Sequence, residues 1–148
     1  AILILKSQGV RQFFGWWEPG RTWDLSLNSD VPLRLKTNNG MGESILDLAR
    51  LNLTALDANM GIGSMTVNLP ARGKLQARLN AGIGEVIVNL PQGMAVRLHV
   101  RTGIGSSRVW GEQRLGSVSI TTPGYETAEN RVDLEVSCGI GSVVVQQQ

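Results

Sequence analysis

Five copies of one tripeptide, Gly-x-Gly, punctuate this sequence of 148 residues. The first four copies begin 21 residues apart, and the fifth follows after 36, which is one period plus 15. Self-similarity at a fixed period is typical of repeat proteins, in which each unit buries its apolar face against its neighbours. The glycines, predicted to be structural corners, are Gly40, Gly42, Gly61, Gly63, Gly82, Gly84, Gly103, Gly105, Gly139 and Gly141.

Apolar residues alternate with polar residues on both sides of each tripeptide, as the third repeat shows. Leu75, Ala77 and Leu79 precede its tripeptide, and Val88 and Leu90 follow it. Period-2 alternation is the strand pattern, so each repeat reads as strand, glycine corner, strand and turn. We therefore predict an all-β, single-domain β-solenoid with rungs of about 21 residues, stacked about 4.8 Å apart.

Successive repeats are predicted to lie directly over one another. The residue between the two glycines is then expected to point into the core; these residues are Met41, Ile62, Ile83, Ile104 and Ile140. An antiparallel β-sandwich is the alternative, although its turns would rarely recur at a constant spacing.

Two polar columns support stacking in register. Lys36, Asp57 and Arg78 alternate in sign at one position of the repeat, where His99 is expected next to Arg78. A second position carries asparagines that can form an amide ladder, as stacked strands often do; they are Asn38, Asn59 and Asn80. Such ladders fix register against a one-residue slip, which would turn the core outward.

The regular repeat leaves the two ends of the chain and one insertion unexplained. Residues 1–22 are predicted to be an N-terminal strand and aromatic cap segment, and residues 23–148 the solenoid. The aromatic residues either cap the first rung or form a partner-binding or membrane-interface patch. The insertion at 111–130 is a protruding loop or an irregular rung, and the tail at 146–148 is expected to fray.

The first residues can form an apolar strand that folds back as a cap or adds to the edge of a neighbouring molecule. Together with the aromatic residues it is the predicted interaction surface: Ile2, Leu3, Ile4, Phe13, Phe14, Trp16, Trp17 and Trp23.

Composition excludes several classes of protein. The net charge is +2 and the basic residues form no run, which argues against a nucleic-acid partner. No stretch approaches the 18 apolar residues of a membrane span. The chain begins at Ala1 rather than Met, which suggests a processed product or an excised segment, with membrane proximity through a missing upstream segment.

No catalytic, cofactor or metal site is predicted. His99 is the one histidine and Cys138 the one cysteine, so metal-ligand spacing is lacking. We expect His99 to be a solvated surface residue and Cys138 a small, partly buried filler. The Gly-x-Gly elements continue neither into a phosphate-binding loop nor into calcium-binding repeats. Glu43 and Glu85 are separated by a rung and do not form an acid–base pair.

Several segments resemble the toastrack domain. The opening of that domain is matched by four segments of this chain: Trp23–Leu27, Val31–Leu33, Asn39–Ser44 and Leu46–Leu48. The resemblance continues in the later Gly-Ile-Gly repeats, two of which end in Val-Asn-Leu-Pro at 67–70 and 88–91. The resemblance covers residues 23–145. It implies a non-enzymatic β-solenoid at a bacterial cell envelope, as in LiaF-like stress regulators and candidate adhesins.

Two functions follow as hypotheses. The first is a structural or adhesive module at the cell envelope or extracellular surface that self-associates end to end, with filaments as one outcome. The second is a regulatory or sensory ectodomain of a membrane-anchored envelope stress-response protein. The predicted partner is the chain itself or another envelope protein.

Overall fold

The structure is a computed structural model that describes residues 2–7, as backbone, and residues 32–147. In these described residues, eight strands form one sheet in the order β1-β2-β3-β4-β8-β5, with β6 and β7 both on the far side of β5. The strands are β1 (Ile2–Ser7), β2 (Leu33–Asp47), β3 (Leu53–Asn68), β4 (Lys74–Leu90), β5 (Ala95–Val109), β6 (Glu112–Leu115), β7 (Val118–Thr121) and β8 (Arg131–Gln147). All pairings are parallel except those of β6 and β7, which run antiparallel to β5. The predicted all-β solenoid is confirmed.

Each long strand turns a corner at its Gly-x-Gly tripeptide. In β4, Leu75 and Leu79 are buried before the corner, and Val86 and Val88 after it. The buried positions change from odd to even numbers across the tripeptide, so both arms present their apolar side to one interior. The core therefore lies between the two arms of the stacked rungs, and each fully buried Val or Leu stabilises it by about 1.5–3 kcal/mol.

The glycine corners are aligned along the stack, and two independent constraints exclude a side chain there. The second glycine has a positive φ, +139° at Gly84, which residues other than glycine rarely adopt. A Cβ at Gly84 would also lie 1.7 Å from the carbonyl oxygen of Gly63, and a Cβ at Gly82 would lie 2.6 Å from that of Gly61. Adjacent rungs therefore stack backbone on backbone at this line.

The order of the rungs differs from the prediction. β2, β3 and β4 lie over one another as expected, but β8 lies between β4 and β5. The expectation that successive repeats always stack directly is wrong for the fourth repeat.

Charge favours the observed order. Glu135 of β8 pairs in register with Arg78 on one side and His99 on the other, and the Arg78 Nε to Glu135 Oε2 distance is 3.6 Å. Asp133 likewise lies beside Arg97. Stacking β5 directly on β4 would bring Arg78 beside His99, as the sequence analysis expected. Inserting the acidic strand keeps opposite charges adjacent, which favours this order.

The residues between the paired glycines point outward, so their predicted place in the core is wrong. Ile83 is 46% exposed and Ile104 71% exposed. The middle residue lies at the apex of the bend, on its convex side, where no interior is available. The residue four places after the first glycine occupies the interior position at the corner instead. In three of the rungs this residue is Met65, Val86 or Val143, and all three are buried.

The insertion at 111–130 is an irregular rung that covers the last regular one. β6 pairs with the second arm of β5, from Ser106 to Val109, and β7 pairs with the first arm, from Arg97 to Val100. Val118 is buried against the core, and Tyr125 is buried in a short 3-10 helix, Tyr125–Thr127. Of the two readings of this segment, the irregular rung is confirmed.

The first and last described residues of the chain both belong to strands of the sheet. β1 pairs in parallel with the first arm of β2, placing Ile2 opposite Arg34 and Ile4 opposite Lys36. The predicted strand therefore exists and folds back on its own chain. The expected fraying of the tail is wrong for Gln146 and Gln147, which belong to β8; Gln146 Nε2 donates to Asn89 Oδ1 at 2.6 Å.

Candidate interaction surface

An apolar line runs along the outside of the glycine corners. We call it the corner ridge; in stack order it consists of Met41, Ile62, Ile83, Ile140 and Ile104. Its side chains are 46–71% exposed, and five rungs at about 4.8 Å make a line about 19 Å long. Isolated exposed apolar residues are common, but aligned ones mark interaction surfaces. The sequence pattern predicts a core position for each of these residues instead.

An amide ladder borders the ridge on the side of the first arm. Asn59 Nδ2 donates to Asn38 Oδ1 at 3.0 Å, and Asn80 Nδ2 donates to Asn59 Oδ1 at 2.9 Å. The predicted ladder is confirmed. The middle side chain, Asn59, acts as both donor and acceptor, which favours the observed register of β2, β3 and β4.

A second ladder lies near the end of the other arm. Asn89 Nδ2 donates to Asn68 Oδ1 at 2.6 Å, and Gln146 continues it on β8. The sequence signal was available, because Asn68 and Asn89 are 21 residues apart and each precedes Leu-Pro. The two ladders tie both arms of the central rungs and hold the ridge straight.

Carboxylates border the ridge on the side of the second arm. Glu43 and Glu85 occupy alternate rungs, with Ser64 between them. Ser142 Oγ donates to Glu85 Oε1 at 3.4 Å on the next rung. The ridge is thus an apolar line between neutral amides and a weakly acidic column, and serines separate the acidic residues so that they do not repel one another.

The single histidine and the single cysteine have structural roles. His99 is exposed, as predicted, and its Nδ1 lies 3.0 Å from Ser119 Oγ of β7. Cys138 is buried, and its Sγ contacts the carbonyl oxygen of Gly84 at 3.6 Å. Burial raises the pKa of the Cys138 thiol, so the thiolate needed for reaction is disfavoured. The prediction that Cys138 is a filler is confirmed.

Two concave features of the described chain are small. Two surface depressions of about 150 Å³ each are present, whereas small-molecule sites usually occupy about 300–1,000 Å³. The larger residues around them are Glu85, Arg108 and Gln113 in one, and Lys74, Tyr125 and Arg131 in the other. Within residues 32–147 no cluster of three or more His, Cys, Asp or Glu side chains is arranged to hold a metal ion.

The segment between β7 and β8 is held by contacts of Tyr125, Glu126 and Asn130. Tyr125 lies between two guanidinium groups, with Arg97 Cζ at 4.3 Å and Arg131 Cζ at 5.4 Å from the ring centroid. Glu126 forms an ion pair with Arg97, and its carbonyl oxygen accepts from Arg131 Nη1 at 3.0 Å. Asn130 Oδ1 accepts from Gly73 N at 2.9 Å. We call residues 122–130 the hinge segment.

The residues of the predicted interaction surface divide into two groups. Ile2, Leu3 and Ile4 lie in β1, which is at one end of the sheet formed by the described residues. The aromatic residues and the predicted boundary at residue 22 fall outside the described residues; the aromatic residues are Phe13, Phe14, Trp16, Trp17 and Trp23. Their role in partner binding stays a prediction. In the described part of the chain we find no helix long and apolar enough to span a bilayer.

Two models of known protein families match this chain. The family model for the N-terminal domain of toast_rack matches residues 3–89, and the model for the C-terminal part of LiaF, of the cell wall-active antibiotics response, matches residues 78–145. A comparison with curated proteins gives no match.

A solved structure shares the fold. It is the crystal structure of a candidate cell adhesion protein from Clostridium sporogenes, 25% identical, with a TM-score of 0.72 over 82% of this chain. This chain spans 58% of the length of that protein. The first family model alone covers more than half of the sequence, and the solenoid repeat extends through both matched regions. The chain belongs to the toastrack family.

Proposed function

We propose that this chain is a non-catalytic β-solenoid scaffold of the cell envelope, structural or adhesive in role, that associates with further copies of itself. The observation that carries the proposal is the regular parallel stack, whose described surface offers long flat faces and an apolar ridge instead of an enclosed cleft. Such a surface suits contact with other macromolecules better than small-molecule chemistry.

The similar proteins support an envelope setting. One matched family belongs to a cell wall-active antibiotics response, and the solved relative is described as a candidate cell adhesion protein. Neither description concerns an enzyme. We infer that this chain also acts at the envelope or on the extracellular surface, by binding.

Self-association is proposed to use the end of the sheet where β1 lies. At the other end, β6 and β7 cover the last long strand. Backbone groups at a strand edge can pair with a strand of another molecule. Pairing of β1 with β1 of a second copy closes into a dimer, whereas pairing of β1 with the β6–β7 end of the next copy propagates into a filament.

Proline substitutions in β1 test this proposal in the full-length chain. Neighbouring residues of a strand direct their N–H groups to opposite sides. One of the two variants Leu3→Pro and Ile4→Pro therefore loses a backbone hydrogen bond to β2, whereas the other loses an N–H group only on the outer edge of β1. Thermal melting identifies the outer-edge variant as the one that keeps the stability of the parent protein. Sedimentation velocity then measures association over a range of protein concentrations.

We expect the outer-edge variant, purified without unfolding, to associate less than the parent protein at the same concentration. The inner-edge variant is the matched control, because it carries the same substitution one residue away. A parent protein that stays monomeric at every concentration refutes self-association. Equal association of the parent protein and the outer-edge variant refutes the role of β1.

A regulatory ectodomain is the second candidate, and the match of residues 78–145 to the LiaF C-terminal region favours it. In that case the corner ridge would contact another envelope protein. The full reading frame of the gene separates the two candidates. Transmembrane helices encoded ahead of residue 1 favour the regulatory role, and a cleavable leader alone favours the adhesive role.

A further inference from the structure

The position of β8 gives this fold a feature that its repeat does not require. β8 lies between β4 and β5, which are consecutive in sequence, and it pairs with both along nearly its whole length. Residues on its inner side, such as Val136 and Val143, are fully buried. β8 therefore fills a slot whose two walls come from consecutive strands, β4 and β5, of the chain before it.

The walls of this slot match each other. Ile83 of β4 and Ile104 of β5 both pair with Ile140 of β8, so the two strands have the same register. Four residues, 91–94, connect β4 to β5, whereas five residues connect β2 to β3 and β3 to β4, which are directly adjacent. The connection is thus of a length that also suits direct pairing. If β8 leaves, β5 can close onto β4 and keep the stack continuous.

The connection to β8 is local and accessible. The hinge segment is held by contacts of Tyr125, Glu126 and Asn130, and Glu126 is exposed. None of these contacts involves the arms of β8 beyond its first residue, Arg131. Opening the hinge segment therefore lets β8 reach a second copy once its pairing with β4 and β5 is broken, and the rungs β2, β3 and β4 keep their order.

We propose that β8 exchanges between copies: the β8 strand of one molecule occupies the slot between β4 and β5 of a second copy. The contacts made in the slot are the same within one chain and between two chains, including Glu135 with Arg78. Such an exchange needs only the hinge segment to change conformation. This inference deepens the proposed self-association and rests on it for the identity of the occupant, a second copy of this chain.

Cysteine cross-linking between two different copies tests the exchange. Ala81 of β4 lies directly opposite Cys138 of β8, and both are buried on the same side. Adjacent strands are about 4.8 Å apart, within the Cα separation that a disulfide spans. One copy carries Ala81→Cys with Cys138→Ser, and the other copy has the parent residues at both positions. A disulfide between the two copies forms only if β8 of the parent lies beside β4 of the variant.

The two copies are unfolded together, refolded over a range of concentrations and oxidised. Both carry the outer-edge proline of β1, which removes association at that end. We expect a cross-linked dimer, and a dimer-to-monomer ratio that rises about tenfold for a tenfold rise in free monomer. Tyr125→Ala in both copies loosens the hinge segment and is expected to raise the dimer fraction at a fixed concentration.

Two controls make the result decisive. In the first control, a single chain that carries Ala81→Cys and keeps Cys138 must form an intrachain disulfide, which shows that the geometry allows the bond. If this disulfide does not form, Thr102→Cys is used in place of Ala81→Cys, because Thr102 of β5 lies on the other side of Cys138. Size-exclusion chromatography of the same samples measures dimer without any cross-link. An intrachain link without any link between copies, or a monomer at every concentration, overturns the exchange. Association that persists only in chains without the β1 proline would leave the proposed function standing and the exchange refuted.

Discussion

Replacing the second glycine of a corner by alanine tests how tightly the rungs stack. Gly84 has a φ of +139°, and a Cβ built there meets the carbonyl oxygen of Gly63 at 1.7 Å. Gly42 occupies the same place in the first corner, with a φ of +119°, and within the described chain no atom lies within 4 Å of its Cβ position. Both alanine variants carry backbone strain, and among the described residues only the alanine at position 84 meets a carbonyl oxygen.

The strain costs about 1–3 kcal/mol at either position, because alanine avoids this region of φ. At Gly84 the Cβ must also move by more than 1 Å to reach an ordinary contact, and the obstacle is backbone that is itself hydrogen-bonded into the sheet. Separating the rungs there disrupts about two or three interstrand hydrogen bonds at about 1 kcal/mol each. We expect Gly84→Ala to lower the free energy of unfolding by about 3 kcal/mol more than Gly42→Ala.

Urea denaturation followed by circular dichroism measures both variants against the parent protein. Gly73→Ala is a further control, because Gly73 has a φ of +91° in a turn and no atom near its Cβ position. We expect Gly73→Ala to resemble Gly42→Ala. If Gly84→Ala and Gly42→Ala are destabilised to within about 1 kcal/mol of each other, the stacked-backbone explanation of the corners is refuted.

Three further predictions address the ladder, the ridge and the thiol. Asn59→Leu leaves two amide partners unsatisfied and is expected to cost about 1–3 kcal/mol in urea denaturation, whereas Asn52→Leu in an exposed turn costs less than about 0.5 kcal/mol. Ile83→Ser on the ridge should leave the melting temperature nearly unchanged, whereas Val86→Ser in the core should lower it by several degrees. Burial raises the pKa of the Cys138 thiol, so folding favours its protonated form, and stability should fall as pH rises above the ordinary thiol pKa of 9.0. Cys138→Ala should remove that contribution to the slope of unfolding free energy against pH, and an unchanged slope would contradict it.

Most of the fold could be predicted from the sequence repeat. The constant 21-residue spacing and the period-2 alternation were enough to predict rungs, corners and the amide ladder of Asn59. These features depend on local periodicity and on contacts between equivalent positions. Both can be read from a single chain without knowing how the rungs are ordered.

The place of β8 could not be read in the same way. Repeats of equal register can pair with one another with nearly the same free energy. The apolar columns therefore do not determine whether β5 or β8 stacks on β4. The decision lies in weaker terms, such as Glu135 lying between Arg78 and His99, and Asp133 lying beside Arg97 on one side. The 36-residue interval before Gly139 was the visible sign that the fifth repeat is exceptional.

The outward direction of the corner residues was missed for a geometric reason. Period-2 alternation holds along a straight strand, but the second glycine, with its positive φ, changes the alternation at the bend. Counting from Leu79 places Ile83 inside, whereas counting back from Val88 places Val86 inside and Ile83 outside. The conflict between the two counts was present in the sequence, and it identifies the corner ridge.

Spin labels on the corner ridge test the stack and its order most directly, because these positions are exposed and stability should tolerate them. With labels at positions 83 and 140, one rung apart, we expect strong dipolar broadening of the electron paramagnetic resonance spectrum; at positions 83 and 104, two rungs or about 10 Å apart, we expect weaker broadening. The reverse order of broadening would show that β5 stacks directly on β4. Spectra without broadening in either pair would contradict the aligned corners themselves.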